Sequence, residues 1–429
     1  MITSDQKRSG CPFGHGQPQA TRRTLLTGLA ALGGGLAMDG VASTPAEAGI
    51  SAMHRQTFQG KHQAGVVTAQ PAHGLIASFD VLAGSREELA TTFRTLTDRI
   101  RFLMRGGSPV PSDVKFPPND SGLLGPQIQP DDLTITVSVG ASLFDDRFGL
   151  AALKPRQLVE MEEFPNDALN ADLCHGDLLL QICANKADTV LHALRDVIKT
   201  MPDMVAVRWT QDGFLPLEPP GPTRAKVKET PRNLLGFKDG TANIDHTDPD
   251  LMNCHVWVMQ GAKEPAWAVN GSYQVVRIIR QYVERWDRTT LQEQQTIIGR
   301  DKMSGAPLGK PREHDDPAYA ADPKGDRIPM DAHIRLANPR TAETNGSLIL
   351  RRGYNYSRGV TQAGQLDMGL LFVCYQASLQ SGFLAVQNRL NGEPLEEYIK
   401  PVGGGYFFVL PGVTTASGYL GERLFGPEA

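Results

Sequence analysis

Two stretches of this chain share one grammar. Leu179-Leu180-Gln181-Ile182-Cys183 and Leu370-Leu371-Phe372-Val373-Cys374 stand 191 residues apart, and each is a short apolar run that opens a strand-then-helix unit. The surrounding pattern repeats with them. In the first half, residues 74–81, 133–139, 176–183 and 204–209 read as strands. Residues 85–104 read as a helix with Ser85 as its cap and Leu89, Phe93, Leu96 and Ile100 near helical spacing, and residues 186–199 as a second helix. In the second half, strands are expected at 273–279, 347–350, 370–375 and 406–410, with helices at 287–298 and 378–390. Strand–helix–strand–strand order used twice predicts an α+β fold of two ferredoxin-like halves, antiparallel sheets with peripheral helices. The halves are expected at 71–222 and 223–429, with a linker at 217–222. No glycine fingerprint follows a first strand, which argues against alternating dinucleotide-binding units.

Forty per cent hydrophobic and 21% charged residues describe an ordinary globular chain, and a net charge of −4 gives no sign of nucleic acid or an anionic membrane as partner. The first residues differ. Thr21-Arg22-Arg23-Thr24-Leu25-Leu26 precedes a soft apolar run over 25–38, and Ala46-Glu47-Ala48 offers small residues at a signal-peptidase spacing. This resembles a twin-arginine export signal over residues 1–48, which implies a periplasmic protein starting near Gly49. The run is too short and too rich in glycine for a stable membrane span. Residues 49–70 are polar and expected as a flexible arm. No two cysteines form a CxxC pair, so zinc or iron–sulfur ligation has little basis, and Cys183 and Cys374 sit in strand-like runs as small hydrophobes.

The chemistry gathers around Asn233-Leu234-Leu235-Gly236-Phe237-Lys238-Asp239-Gly240-Thr241-Ala242-Asn243. Here one carboxylate stands among glycines, which allow unusual backbone angles and close approach of a bulky ligand. Asp239-Gly240 reads either as a hairpin turn or as a proton shuttle. Downstream, residues 299–340 form a long segment with little predicted regular structure, and loops of that length are usually functional or disordered. It contains Met330-Asp331-Ala332-His333-Ile334-Arg335-Leu336-Ala337-Asn338-Pro339-Arg340. Then comes Leu348-Ile349-Leu350-Arg351-Arg352-Gly353-Tyr354, where two arginines end a strand and only one can face a site.

Taken together, Gly236-Phe237-Lys238-Asp239-Gly240, the segment from His333 to Arg340, Arg351-Arg352-Gly353-Tyr354 and Gly369-Leu370-Leu371-Phe372-Val373-Cys374-Tyr375-Gln376 resemble the dye-decolourising haem peroxidases, from about residue 60 onward. The likeness is to the exported subgroup also described as deferrochelatase/peroxidase. The resemblance implies one haem b per chain, bound in the C-terminal half, with His333 as proximal iron ligand. It implies Asp239 as acid/base and Arg351 as the charge that assists O–O cleavage. Gly240, Thr241, Ala242, Asn338, Pro339 and Arg340 would lie along the haem. Leu370 and Phe372, two apart on a strand, would either wall the pocket or simply pack in the core. An acidic residue before the last strand steadies the histidine in this family, and distance to Phe407-Phe408 favours Glu397 over its neighbour Glu396, though both also read as solvated helix charges. His175 reads as structural, and the four tryptophans as either radical relays or packing.

The implied reaction is oxidation of bulky aromatic donors by hydrogen peroxide. The alternatives are release of iron from haem with a porphyrin as co-product, or a non-enzymatic haem-binding accessory role. The resemblance further implies a homodimer and iron-uptake components as partners.

Overall fold

The computed structural model describes residues 55–216 and 229–426. The expected export signal and linker lie outside them. The first half runs β1 (His73–Val81), α1 (Arg86–Arg105), β2 (Thr134–Gly140), β3 (Leu178–Ala184), α2 (Ala187–Thr200) and β4 (Val205–Phe214). Ser85 caps α1 by accepting a hydrogen bond from the Glu88 backbone N–H, with Glu87 and Glu88 in the first turn where acids suit the helix dipole. Leu89, Phe93, Leu96, Ile100 and Leu103 form its buried stripe against the sheet.

The second half is built from β5 (Ser272–Gln281), α3 (Leu291–Ile298), α4 (His333–Ala337), β6 (Leu350–Arg351), β7 (Tyr354–Val360), β8 (Leu366–Gln376), α5 (Ala385–Leu390) and β9 (Ile399–Val409). Among the described residues every pairing between these strands is antiparallel, and the fold is α+β as expected. The strand order is β2-β3-β1-β4 in one half and β9-β5-β8-β7 in the other, so β3 and β8, the two repeated runs, occupy equivalent places. The halves also pair with each other, through β2–β9 and β4–β7. With β5 joined to both β8 and β9, hydrogen bonding runs round a closed circuit, which removes the exposed edges that invite aggregation.

Alternation along β8 sorts its residues between two environments. Leu371, Val373 and Tyr375 point into the circuit, packing with Ile76, Leu179 and Trp209. Leu370 and Phe372 point outward, next to Ile279 and Arg277 of β5, onto the face that carries the candidate site. Cys183 and Cys374 are free and buried.

Several boundaries differ from expectation. The helix expected from 287 starts at Leu291, because Asp287 closes the preceding turn Val283–Trp286 and the Thr290 hydroxyl caps the new helix at Glu293 N–H. The helix expected from 378 begins with a π turn, Gln380–Leu384, kinked at Gly382. The strand expected at 347–350 is only Leu350–Arg351, and β7 had no reading of its own. The described part of the N-terminal arm is held down: the Gln63 amide donates to Val137 O and Leu410 O at 2.8 Å each and accepts from Val137 N–H. No helix among the described residues is long and apolar enough to cross a membrane.

Candidate active site

The Asp239 loop is a hairpin whose turn lies earlier than Asp239-Gly240. Arg232 and Lys238 form an antiparallel bridge, Asn233 N–H donates to Phe237 O, and Gly236 N–H donates to Asn233 O. Gly236, at φ +84°, supplies the left-handed residue that such a turn requires. The Asn233 side chain accepts from Leu235 and Phe237 N–H, while Leu235 and Phe237 bury against Trp286. Asp239 therefore leaves a rigid turn, its N–H fixed to Pro231 O at 2.8 Å. Gly240 follows at φ +124°, a conformation that L side chains rarely adopt.

Asp239 Oδ1 accepts from Arg351 Nη1 at 2.6 Å. Its Oδ2 has only a long 3.4 Å contact from Asn233 Nδ2. Asn243 then clamps the Arg351 backbone from both sides, donating to its carbonyl at 2.7 Å and accepting from its N–H at 2.8 Å. Arg352 turns the other way, 4% exposed, and donates to Thr68 O. Only one of the two arginines faces the site, as strand geometry requires.

His333 opens α4, and its Nδ1 lies 2.7 Å from Glu393 Oε2, a carboxylate that is itself buried. Burial works against charging the imidazole, but the Glu393 charge and hydrogen bond hold its pKa above the ordinary histidine value. Glu393, rather than Glu397, is the acidic residue on the histidine. Pro394 starts a 3-10 turn, Pro394–Glu397, that carries Glu397 out to solvent, where its backbone carbonyl accepts from Arg285.

These groups share one cleft with about 1780 Å³ between its walls, the open mouth included. Asp239, Gly240, Thr241, Ala242 and Arg351 line it, and Leu370 and Phe372 stand on its wall rather than only in the core. His333, Asn338 and Arg340 line it as well, and both Asp239 and Arg351 act electrostatically on the His333 imidazole. Pro339 is not on the wall. Arg300 and Glu393 are lining residues that sequence reasoning did not single out. Arg300 is 6% exposed, and its Nη1 donates to the carbonyls of Gly305 and Glu313. Burial depresses its pKa, and Arg340 and Arg351 add to the positive field around it. Also lining the cleft, Arg277 of β5 forms a buried ion pair with Asp167 of the first half, each side chain 1% exposed. Among the described residues, no group of three or more His, Cys, Asp and Glu could hold a metal ion. A lone histidine suits a metal whose other donors come from a macrocycle.

Comparison with known proteins decides the family. The model described as Dyp-type peroxidase, N-terminal, matches residues 63–215, and that described as Dyp-type peroxidase, C-terminal, matches residues 230–414. The chain belongs to the Dyp-type peroxidase family. A protein named deferrochelatase from Yersinia pseudotuberculosis is 56% identical over 97% of this chain and 99% of its own length. Another of that name from Shigella flexneri is 57% identical over 96% and 98%. Among solved structures, a DyP-type peroxidase from Cellulomonas bogoriensis matches with a TM-score of 0.77 at 33% identity, covering 87% of this chain and 98% of that one. Ferric DtpA from Streptomyces lividans also gives 0.77, at 34% identity, over 90% and 100%. In this Dyp-type peroxidase the cleft therefore lies in the part matched by the C-terminal family model, with Asn166 and Asp167 reaching it from the N-terminal part.

Proposed function

We propose that this Dyp-type peroxidase binds one haem b in the cleft and uses hydrogen peroxide to oxidise bulky aromatic donors. The observation that carries the reading is the Asp239–Arg351 pair, 2.6 Å apart, sharing a cleft with a histidine whose Nδ1 is anchored on a buried carboxylate. The residues fit the cofactor. His333 keeps Nε2 for a metal while Glu393 fixes the ring. Gly240 presents backbone without a side chain, and Leu370 and Phe372 offer an apolar surface for a flat ring. Arg300 and Arg340 suit the macrocycle's carboxylates, since a guanidinium pairs well with them in a partly buried edge.

Bound haem would supply the iron that takes up peroxide and the capacity to withdraw electrons from a donor. Asp239 takes a proton from one peroxide oxygen and returns it to the other, and Oδ2 is the free atom for this because Oδ1 is committed to Arg351. The Arg351 guanidinium balances negative charge as the O–O bond breaks, its position fixed by Asn243. Leu370 and Phe372 keep bulk water off the reacting oxygens.

A second reading, release of iron from haem with the porphyrin left intact, is favoured by the name deferrochelatase on relatives that align over nearly the whole chain. The proposed location for either activity is the periplasm, reached by the twin-arginine route. One experiment separates them: haem-loaded protein is given peroxide with an aromatic donor, and haem without donor, and both are followed by absorption and porphyrin fluorescence. Donor oxidation that depends on Asp239 and Arg351 supports the first reading. Free porphyrin without donor turnover would replace it with the second.

A further inference from the structure

The Asp239 loop is gripped from outside by a residue of the long segment that also bears His333. Glu313 Oε2 accepts from Lys238 Nζ at 2.6 Å, and Glu313 Oε1 accepts from Thr241 Oγ1 at 2.9 Å. The two contacts fall on either side of Asp239-Gly240, so one carboxylate pins both ends of the residue pair. The Glu313 backbone carbonyl in turn accepts from Arg300, which lines the cleft. A continuous polar path therefore links a cleft cation, Glu313, and the loop that presents Asp239.

We propose that Glu313 is a positioning residue for Asp239, holding the acid/base loop in register with the segment that bears His333. The inference rests on the reading of Asp239 as proton carrier. Gly240 gives such a grip something to restrain, because glycine has more backbone freedom than other residues, and among the described residues the loop's one β-bridge is Arg232–Lys238, before Asp239. Glu313 suits the task. Its side chain is 13% exposed, its partner Lys238 10%, and the other acid on Lys238, Glu229, is 3.3 Å away and largely exposed. Although burial opposes it, hydrogen bonds from Lys238, Thr230 and Thr241 hold the Glu313 pKa down to about 2, so the grip stays charged across any ordinary working range. His314 approaches only at 3.8 Å and is mostly exposed.

The test compares Glu313→Gln, Glu313→Ala, Lys238→Met and the Gln/Met double variant with Asp239→Ala as reference, each loaded with haem. Stopped-flow absorption reads the peroxide step, steady-state kinetics read the donor KM, and hydrogen–deuterium exchange of the apoprotein reads the loop itself. Glu313→Ala is expected to slow the peroxide step by about 10–100-fold, the range for losing a supporting contact or misplacing a group by an ångström. Donor KM and the resting haem spectrum should stay as in wild type, while exchange rises in peptides spanning residues 238–242. The Glu313→Gln and Lys238→Met effects should be less than additive, since both break one contact. Wild-type peroxide rates and unchanged exchange in Glu313→Ala would overturn the proposal. So would a loss of haem binding and melting temperature that accounts for the whole rate effect. If Asp239→Ala itself reacted with peroxide normally, the acid/base reading would fail instead, and the exchange data would still report whether Glu313 holds the loop.

Discussion

Glu393 offers the sharpest quantitative prediction, because the structure replaces one glutamate with another four positions away. Glu393→Gln keeps the side chain's size and an acceptor beside His333 Nδ1 but removes the charge. The bond at stake is 2.7 Å long and its carboxylate is buried, so it belongs with charge-assisted bonds. Such bonds contribute roughly 1.5–3 kcal/mol net, against roughly 0.5–1.5 for neutral ones, leaving a difference of about 1–2 kcal/mol. At about 1.4 kcal/mol per decade this is a roughly 5–30-fold loss of haem affinity. It falls mainly on the ferric state, where an electron-rich imidazole matters more, so the reduction potential should rise by roughly 40–90 mV at about 59 mV per decade. Apoprotein titrations with haem and a spectroelectrochemical titration measure the two effects. Glu397→Gln is the control: that side chain faces solvent, and it should alter affinity by less than about twofold. Unchanged affinity and potential in Glu393→Gln, or an equal effect from Glu397→Gln, would refute the assignment.

Further expectations follow from the electrostatics. Because the folded-state pKa of Glu313 lies below its unfolded value, its contribution to stability is complete above the ordinary carboxylate range and is lost as pH falls toward about 2. A shift of that size corresponds to at most about 3.5 kcal/mol, and solvent at this edge of the cleft reduces it to roughly 1–2 kcal/mol. Denaturant melts should therefore show wild type losing more stability than Glu313→Gln between about pH 5 and pH 2, and parallel losses would argue against it. Asp167→Ala strands the Arg277 guanidinium, itself 1% exposed, and should destabilise the protein by roughly 3–5 kcal/mol in chemical denaturation. A loss below about 1 kcal/mol would mean that solvent reaches the pair. Arg351→Leu should leave haem bound yet slow the peroxide step by about 10²–10³-fold, the cost of removing one charge-stabilising donor. A normal rate would remove Arg351 from the mechanism.

The fold was legible where local pattern and tertiary environment agree. The two apolar runs that became β3 and β8 are buried central strands, and Ser85 announced α1 with a capping residue and an apolar stripe. What escaped was set by contacts between distant segments. Tyr354–Val360 sets Ser357 beside Arg358 and exposes its end, so it lacks a clean alternation, and pairing with β8 and β4 makes it a strand. Asp287 looked like a helix cap, but the turn before it had already used the position. At the site, Asp239, His333 and Arg351 could be named from their motifs, and the structure brings all three to one cleft. Counting residues weighs Glu397 against Glu396 and passes over Glu393, because the choice depends on the 3-10 turn at Pro394. Arg300 and Glu313 sit in a lysine-, aspartate- and proline-rich segment with little predicted regular structure, where nothing in the sequence singles them out. Their roles arise only when that segment folds over the Asp239 loop.

The most direct test of the central claim is the absorption spectrum of haem-loaded protein before and after one equivalent of hydrogen peroxide, in wild type and in Asp239→Ala. The account predicts the same resting spectrum in both, a rapid Soret change in wild type, and a change at least about 100-fold slower in the variant. Equal rates in the two proteins would contradict it.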